Sequence, residues 1–149
     1  MVIMSIDLGK ARTGIAICDR LQTLATPLCV IEEYNRDKLA DKIAETAAQK
    51  NAELLILGLP KNMDGSEGES AAGARAFAQT LRTRCEIPVE LYDERCTTML
   101  AYRFMNESNV LGKKRREKKR KETVDSAAAA IILQSYIEHL RNSKEEIGG

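Results

Sequence analysis

Apolar residues run almost unbroken from Val2 to Ile6 and again from Gly14 to Cys18, with a carboxylate, Asp7, closing the first run and a turn carrying Gly9, Lys10 and Arg12 between them. Two strand-like runs joined by a short glycine-containing turn predict a β-hairpin. Thr26–Glu33 is a third such run, with Pro27 near its start where a missing N–H is tolerated, and it extends the hairpin to an antiparallel meander. From Asn35 the period changes. Leu39, Ala40, Ile43, Ala44 and Ala47 fall on one helical face, and the continuous apolar stretch Glu53–Pro60 (ELLILGLP) then reads as a central strand buried on both sides. Past the polar loop Lys61–Glu69, the spacing of Ala74, Phe77, Ala78 and Leu81 predicts a helix over Ser70–Arg84. The last strand, Pro88–Tyr92, runs straight into Asp93-Glu94-Arg95. A helix capped by Thr97 or Thr98 is expected next, followed by one that opens at Asp125-Ser126, covers Ala127–Leu140 and leaves a frayed tail over 141–149.

The order βββαβαβαα makes the first, fourth and fifth strands mutually parallel, because each helical connection is a right-handed crossover. Ligands of such sheets collect outside the carboxyl ends of the strands. Asp7, Lys61-Asn62 and Asp93-Glu94 all stand at those ends, and Asp125, opening the last helix, lies across the same edge. Three or four carboxylates distant in sequence are thus expected at one spot. A carboxylate ending so apolar a strand as Asp7 does must be paired, protonated or bound to a cation. Pairing with Lys10 or Arg12 is the plain account of Asp7 taken alone; its company at the carboxyl edge favours a cation.

Composition narrows the class. A chain of 149 residues makes one domain, here 1–149, with core enough to stand without staples. Cys18, Cys29, Cys85 and Cys96 are scattered and joined by one histidine, His139, so neither a zinc site nor a disulfide framework is expected, and the thiols read as reduced and mostly buried. With no leader-like start and no apolar run long enough for a bilayer, the expectation is a soluble cytoplasmic protein with no membrane partner. The net charge of +1 conceals an asymmetry: Lys113–Lys121 (KKRREKKRK) holds eight basic residues and one Glu, net +7 against −6 for the remainder. Segment 112–122 is therefore read as a solvated, mobile loop whose Lys113, Lys114, Arg115, Arg116, Lys118, Lys119 and Arg120 contact nucleic acid. Lys10, Arg12, Lys61 and Asn62 add polar and cationic groups at the carboxylate edge. All suit phosphates rather than base edges, and with no Trp, and Phe77 and Phe104 on apolar helix faces, no aromatic platform for bases is expected.

Converging carboxylates make an all-oxygen site suited to Mg²⁺ or Mn²⁺, where a pair of cations about 3.5–4 Å apart activates water and stabilises the leaving 3′ oxygen of a phosphodiester. Together, IDLGKARTGIAICD, LILGLPKNMDGSEG, LYDERCTT and ETVDSAAAAIILQ resemble the YqgF/RuvX family, relatives of the RuvC Holliday-junction resolvases in the ribonuclease-H-like superfamily. The resemblance spans essentially the whole chain. It implies an α/β ribonuclease-H-like fold, a five-stranded mixed sheet of order 3-2-1-4-5 with helices on both faces. It also implies a metal-dependent nuclease acting on the small-subunit rRNA precursor, with Asp7, Glu94 and Asp125 as catalytic and metal-binding carboxylates. Ala11-Arg12-Thr13-Gly14 departs from the family's usual K-R-I-G at the turn, while Lys10 and Arg12 keep the charge. Adjacent strand residues face opposite ways, so Glu94 is taken as the ligand and Asp93 as structural.

Three other readings compete. A nucleotide-dependent kinase or ATPase shares such a hairpin but needs two half-domains to enclose its ligand. A non-catalytic RNA-binding ribosome-assembly factor would use the basic segment alone. A true Holliday junction resolvase acting on DNA would need a dimer to cut symmetrically. The preferred substrate is structured RNA, with ribosomal particles as partner and a DNA junction as the alternative.

Overall fold

The computed structural model describes the backbone of residues 1–22, 24–96 and 117–148, and the side chains of 1–22, 24–95 and 126–142. The apolar runs become strands. β1 (Ile3–Asp7) pairs antiparallel with β2 (Arg12–Cys18), Asp7 opposite Gly14, and β2 pairs antiparallel with β3 (Ala25–Glu32) across an irregularity at Ile15/Ala16. The turn between β1 and β2 requires glycine at position 9, where a Cβ would collide with the Arg12 carbonyl oxygen. α1 (Arg36–Gln49) starts at Asn35, whose side-chain oxygen accepts from the Lys38 N–H at 3.0 Å. It stops where Asn51 takes a left-handed conformation (φ 58°) and the Ala52 N–H donates back to the Ala47 carbonyl. β4 (Leu54–Leu59) is buried throughout, parallel to β1, and leads through a polar loop to α2 (Glu69–Arg84). β5 (Val89–Asp93) lies parallel to β4, giving the expected sheet order β3-β2-β1-β4-β5.

Strand alternation divides the core in two. Met4, Ile6, Ile15, Leu55 and Leu57 face α1 and α2, where Leu39, Ile43, Phe77 and Leu81 meet them. Ile3, Ala16, Ile56 and Tyr92 face a long helix, α3 (Glu117–Gly148), through Ala129, Ala130, Leu133 and Ile137. Alanines bring this helix close enough for the Ser5 hydroxyl to donate to the Ala129 carbonyl at 2.6 Å. The direction of α3 follows from its lower contacts: Gln134 accepts from the Ala25 N–H, and Arg141 donates to the Gln22 carbonyl, both at the end of the sheet where β3 begins. Its amino-terminal half therefore points to the carboxyl ends of β1 and β4.

Two expectations fail at α3. The helix begins at Glu117, not at Asp125, so the basic segment is helical from 117 onward rather than a loop to 122; and it continues to Gly148 where a frayed tail was expected. Lys, Arg and Glu are good helix formers, and Glu117/Lys121 and Lys118/Glu122 sit at the i,i+4 spacing that supports a helix without burial. The helix expected after Thr97 or Thr98 lies outside the described residues. Of the thiols, Cys18 is buried, whereas Cys29 and Cys85 are only half-buried. No helix among the described residues is long and apolar enough to cross a membrane.

Candidate active site

Parallel pairing brings the carboxyl ends of β1, β4 and β5 side by side, so Asp7, Gly58 and Glu94 stand in a row across three neighbouring strands. Glu94 follows β5 directly, as the first residue of a short 3₁₀ turn. Its side chain lies over Gly58: a Cβ there would stand 2.5 Å from the Glu94 Oε1 and 3.1 Å from the Ile132 Cδ1 of α3. Glycine at position 58 thus leaves the space through which the carboxylate crosses β4 toward β1. Burial, then the charge of Asp7, then that of Asp93, raise Glu94 above the ordinary carboxyl range. A half-buried carboxylate facing a like charge holds a proton or calls for a cation.

Asp93 behaves in the opposite way. It accepts from the backbone N–H, the Nε and the Nη2 of Arg95, at 2.9, 3.1 and 2.7 Å, and that guanidinium holds it below the usual range. Asp93 ends β5 and Glu94 opens the 3₁₀ turn, so one carboxylate is tied to its own arginine while the other lies over Gly58. Arg95 reaches under the β4–α2 loop, where Gly65 adopts φ +90°.

A cleft of about 260 Å³ opens at Glu94, between the β1–β2 turn and the first turn of α2, and Lys10, Arg36, Gly58 and Ser70 help line it. α2 begins there after Gly68 without a side-chain cap, leaving its first N–H groups and the positive end of its dipole at the cleft. Lys10 is exposed on the turn, and Arg12 opens β2 opposite Glu32, half-buried. Lys61 lies 3.9 Å from Glu67. Asn62 does not face the edge as a free donor, because its amide nitrogen donates to the Ser66 hydroxyl and its backbone closes the same loop. Asp125 falls within α3, one turn ahead of Ala129 and so toward the carboxyl edge; its side chain lies outside the described residues. Lys113, Lys114, Arg115 and Arg116 are outside them altogether, and Lys118, Lys119 and Arg120 are described only as helical backbone. Among the described residues no three His, Cys, Asp or Glu side chains form a metal-holding group; the site shows Asp7 and Glu94 as a pair.

Sequence reasoning missed two features. Arg36 donates from its Nη1 to the Gly9 carbonyl at 2.9 Å, tying α1 to the turn after Asp7. Tyr34, just before that helix, stands 79 % exposed at this edge, although no aromatic platform was expected. A lone tyrosine flanked by Glu32, Glu33, the capping Asn35 and Arg36, all polar, was the available signal.

Residues 1–139 match the family model described as RuvX, Holliday junction resolvase. The chain belongs to the RuvX family. A relative from Bacteroides fragilis, named "Putative pre-16S rRNA nuclease", is 39% identical over 140 residues, covering 93% of this chain and 97% of its own. One of the same name from Anaeromyxobacter sp. is 42% identical over 107 residues, covering 72% and 78%. Among solved structures, Thermus thermophilus RuvC superposes with a TM-score of 0.65 at 13% identity, covering 96% of this chain and 97% of that one. Its complex with a Holliday junction gives 0.63 at 14%, covering 95% and 96%. The fold is thus that of the RuvC-like resolvases. RuvX membership makes this chain a nuclease, a hydrolase of ester bonds that engages nucleic acid.

Proposed function

We propose that this RuvX chain is a divalent-cation-dependent nuclease that trims the precursor of small-subunit ribosomal RNA in the cytoplasm, with Asp7, Glu94 and Asp125 as its working carboxylates. The observation that carries this reading is the Glu94 carboxylate lying over Gly58 toward Asp7, half-buried and raised above its ordinary titration range first by that burial and then by the charge of Asp7. Oxygen donors alone, a like-charged pair, and a glycine that leaves room for them fit Mg²⁺ or Mn²⁺. Asp7 and Glu94, with Asp125 as the third carboxylate, would hold the ion, which when bound supplies Lewis-acid activation of water and charge neutralisation at the departing oxygen.

The chain's own groups bind and orient the substrate. Lys10 and the uncapped first turn of α2 attract a phosphate into the cleft that Glu94 closes from the sheet side. Arg36 holds the Gly9 carbonyl and so keeps that turn in place, with Lys10 exposed beside it. The basic segment ahead of α3 adds phosphate attraction without base reading. The small-subunit rRNA precursor is chosen over DNA because the Bacteroides fragilis and Anaeromyxobacter relatives, which cover most of this chain, bear the rRNA name. The test is incubation of the pure protein with labelled precursor RNA and with a four-way DNA junction, in Mg²⁺ or Mn²⁺ and in chelator. Metal-dependent RNA cleavage, with unprocessed small-subunit ends in depleted cells, is the expected result. Symmetric junction cleavage with normal rRNA ends would make the chain a resolvase, and binding of ribosomal particles without cleavage would make it an assembly factor.

A further inference from the structure

We propose that Tyr34 is a stacking platform for an unpaired base of the substrate strand, a few nucleotides from the phosphodiester bond that is cut; the part about the cut bond rests on the nuclease reading above. Among the described residues the other tyrosines and the phenylalanine are committed to the core or its margin. Phe77 and Tyr92 are buried, and Tyr136 is half-buried with its hydroxyl donating to Glu90 at 2.8 Å. Of the described aromatic residues, Tyr34 alone presents its ring to solvent, at 79 % exposure. Its backbone, by contrast, is held on both sides. The Glu33 N–H donates to the Ala11 carbonyl at 2.9 Å, the Asn35 N–H to a Glu33 carboxylate oxygen at 3.2 Å, and Arg36 to the Gly9 carbonyl at 2.9 Å. An exposed ring on an immobilised backbone is a preorganised binding element, since little ordering remains to be done when a ligand arrives.

Its place in the fold names the ligand. Val30 pairs with Gly14, which pairs with Asp7, so β3 lies two strands from β1; Tyr34 is four residues past Val30, toward the same carboxyl edge. At strand spacing and rise, that sets Tyr34 roughly 15–20 Å from Asp7. The exposed Lys10 turn lies between them, and Arg36, two residues on, lines the cleft that Glu94 closes. A strand whose phosphate enters that cleft and whose backbone follows Lys10 delivers a neighbouring base to Tyr34. Two of the acidic residues near Tyr34 repel it less because they are paired, Glu33 with Lys42 at 3.0 Å and Asp37 with Arg84 at 2.8 Å. Every base has a π-face, so stacking here selects unpaired strand over duplex without selecting sequence.

The experiment measures binding in chelator, so that it is independent of cleavage. Dissociation constants are taken by fluorescence anisotropy for a labelled single-stranded RNA and for the same RNA annealed to its full complement. Tyr34→Ala is expected to weaken single-strand binding about 5- to 20-fold, with Tyr34→Phe close to wild type and duplex binding changed less than about twofold. An abasic site walked along the strand should cost the wild type the same factor at one position and cost Tyr34→Ala nothing there. Equal losses on strand and duplex, no loss on the strand, or no measurable strand binding by the wild type each overturn the proposal. Cleavage that proceeds without any dependence on Tyr34 leaves the nuclease reading standing while this one falls; Tyr34-dependent binding by a chain that never cleaves does the reverse.

Discussion

The two faces of the sheet are built from different materials. Toward α1 and α2 the strands present mainly large aliphatic side chains, Met4, Ile6, Ile15, Leu55 and Leu57, with the buried hydroxyl of Thr13 as an exception. Toward α3 they present Ser5, Ala16, Gly58, Tyr92 and Glu94, and the helix answers with alanines, Ser135 and Gln134. Buried polar groups on this side are matched one by one: Ser5 to the Ala129 carbonyl, the Tyr92 hydroxyl to Ser135 at 2.8 Å, Gln134 to the Ala25 N–H at 3.0 Å. The first face supplies non-directional burial energy. The second trades some of it for close approach and fixed orientation, and there the Asp7 and Glu94 carboxylates stand at the sheet's carboxyl edge. Stability and chemistry are therefore separable by substitution.

The largest expected effect is on catalysis. Asp7→Asn keeps the shape at the end of β1 and removes the charge, so metal-dependent cleavage should fall by about 10²–10³-fold or more while the melting temperature holds or rises. Single-turnover kinetics with a circular dichroism melt check both halves; near-wild-type turnover would remove Asp7 from the working carboxylates. On the opposite face, Leu57→Ala should cost about 3 kcal/mol, a fall of roughly 6–12 °C in melting temperature, because a fully buried side chain between the sheet and α1/α2 leaves a cavity. Below its melting range this variant should cleave at a near-normal rate. A large loss of activity there would break the separation of faces.

Gly58→Ala probes the join between the two. The added methyl meets the Glu94 carboxylate at 2.5 Å and the Ile132 methyl at 3.1 Å, and the flexible Glu94 is the group that yields. Activity should drop about 10–100-fold with a stability change of about 1 kcal/mol, a split that a stopped assay and a melt resolve together.

How far the sequence reaches follows the same division. The hairpin, the buried strand Leu54–Leu59 and the order of the sheet are legible because period-2 runs and right-handed crossovers leave few alternatives. Strand alternation does not account for the different environments of Asp93 and Glu94, because β5 ends at Asp93 and Glu94 opens a 3₁₀ turn. The role of Gly58 is not legible, since a glycine in an apolar strand reads as an interruption until its neighbour's side chain is seen to lie over it. The start of α3 is hidden for another reason: Glu117–Lys121 has helical propensity but no apolar face, and pattern reading detects burial, not propensity. Tyr34 belongs to no periodic pattern at all, and its value comes from where the Gly9–Ala11 turn holds it.

The smallest predicted effect tests the α3 side without any assay of cleavage. Burial and the facing Asp7 raise Glu94, so the folded chain holds that proton more tightly than the unfolded chain does. Wild-type stability from this group is then fully present below the unfolded carboxyl range and is lost as pH rises through the higher folded value. Gln at position 94 keeps the shape and cannot ionise. In chelator, Glu94→Gln should approach the wild type as pH falls below the ordinary carboxyl range, and melt above it as pH rises and the wild-type carboxyl ionises against its neighbours. Because the group is half-buried and solvent screens the pair, the gain should be about 1 kcal/mol rather than several, or roughly 2–4 °C. Added Mg²⁺ should narrow the gap by stabilising the wild type alone. A gain independent of pH, or a loss at neutral pH, would mean that Glu94 is an ordinary packed side chain and that the α3 face, like the other, is built for stability.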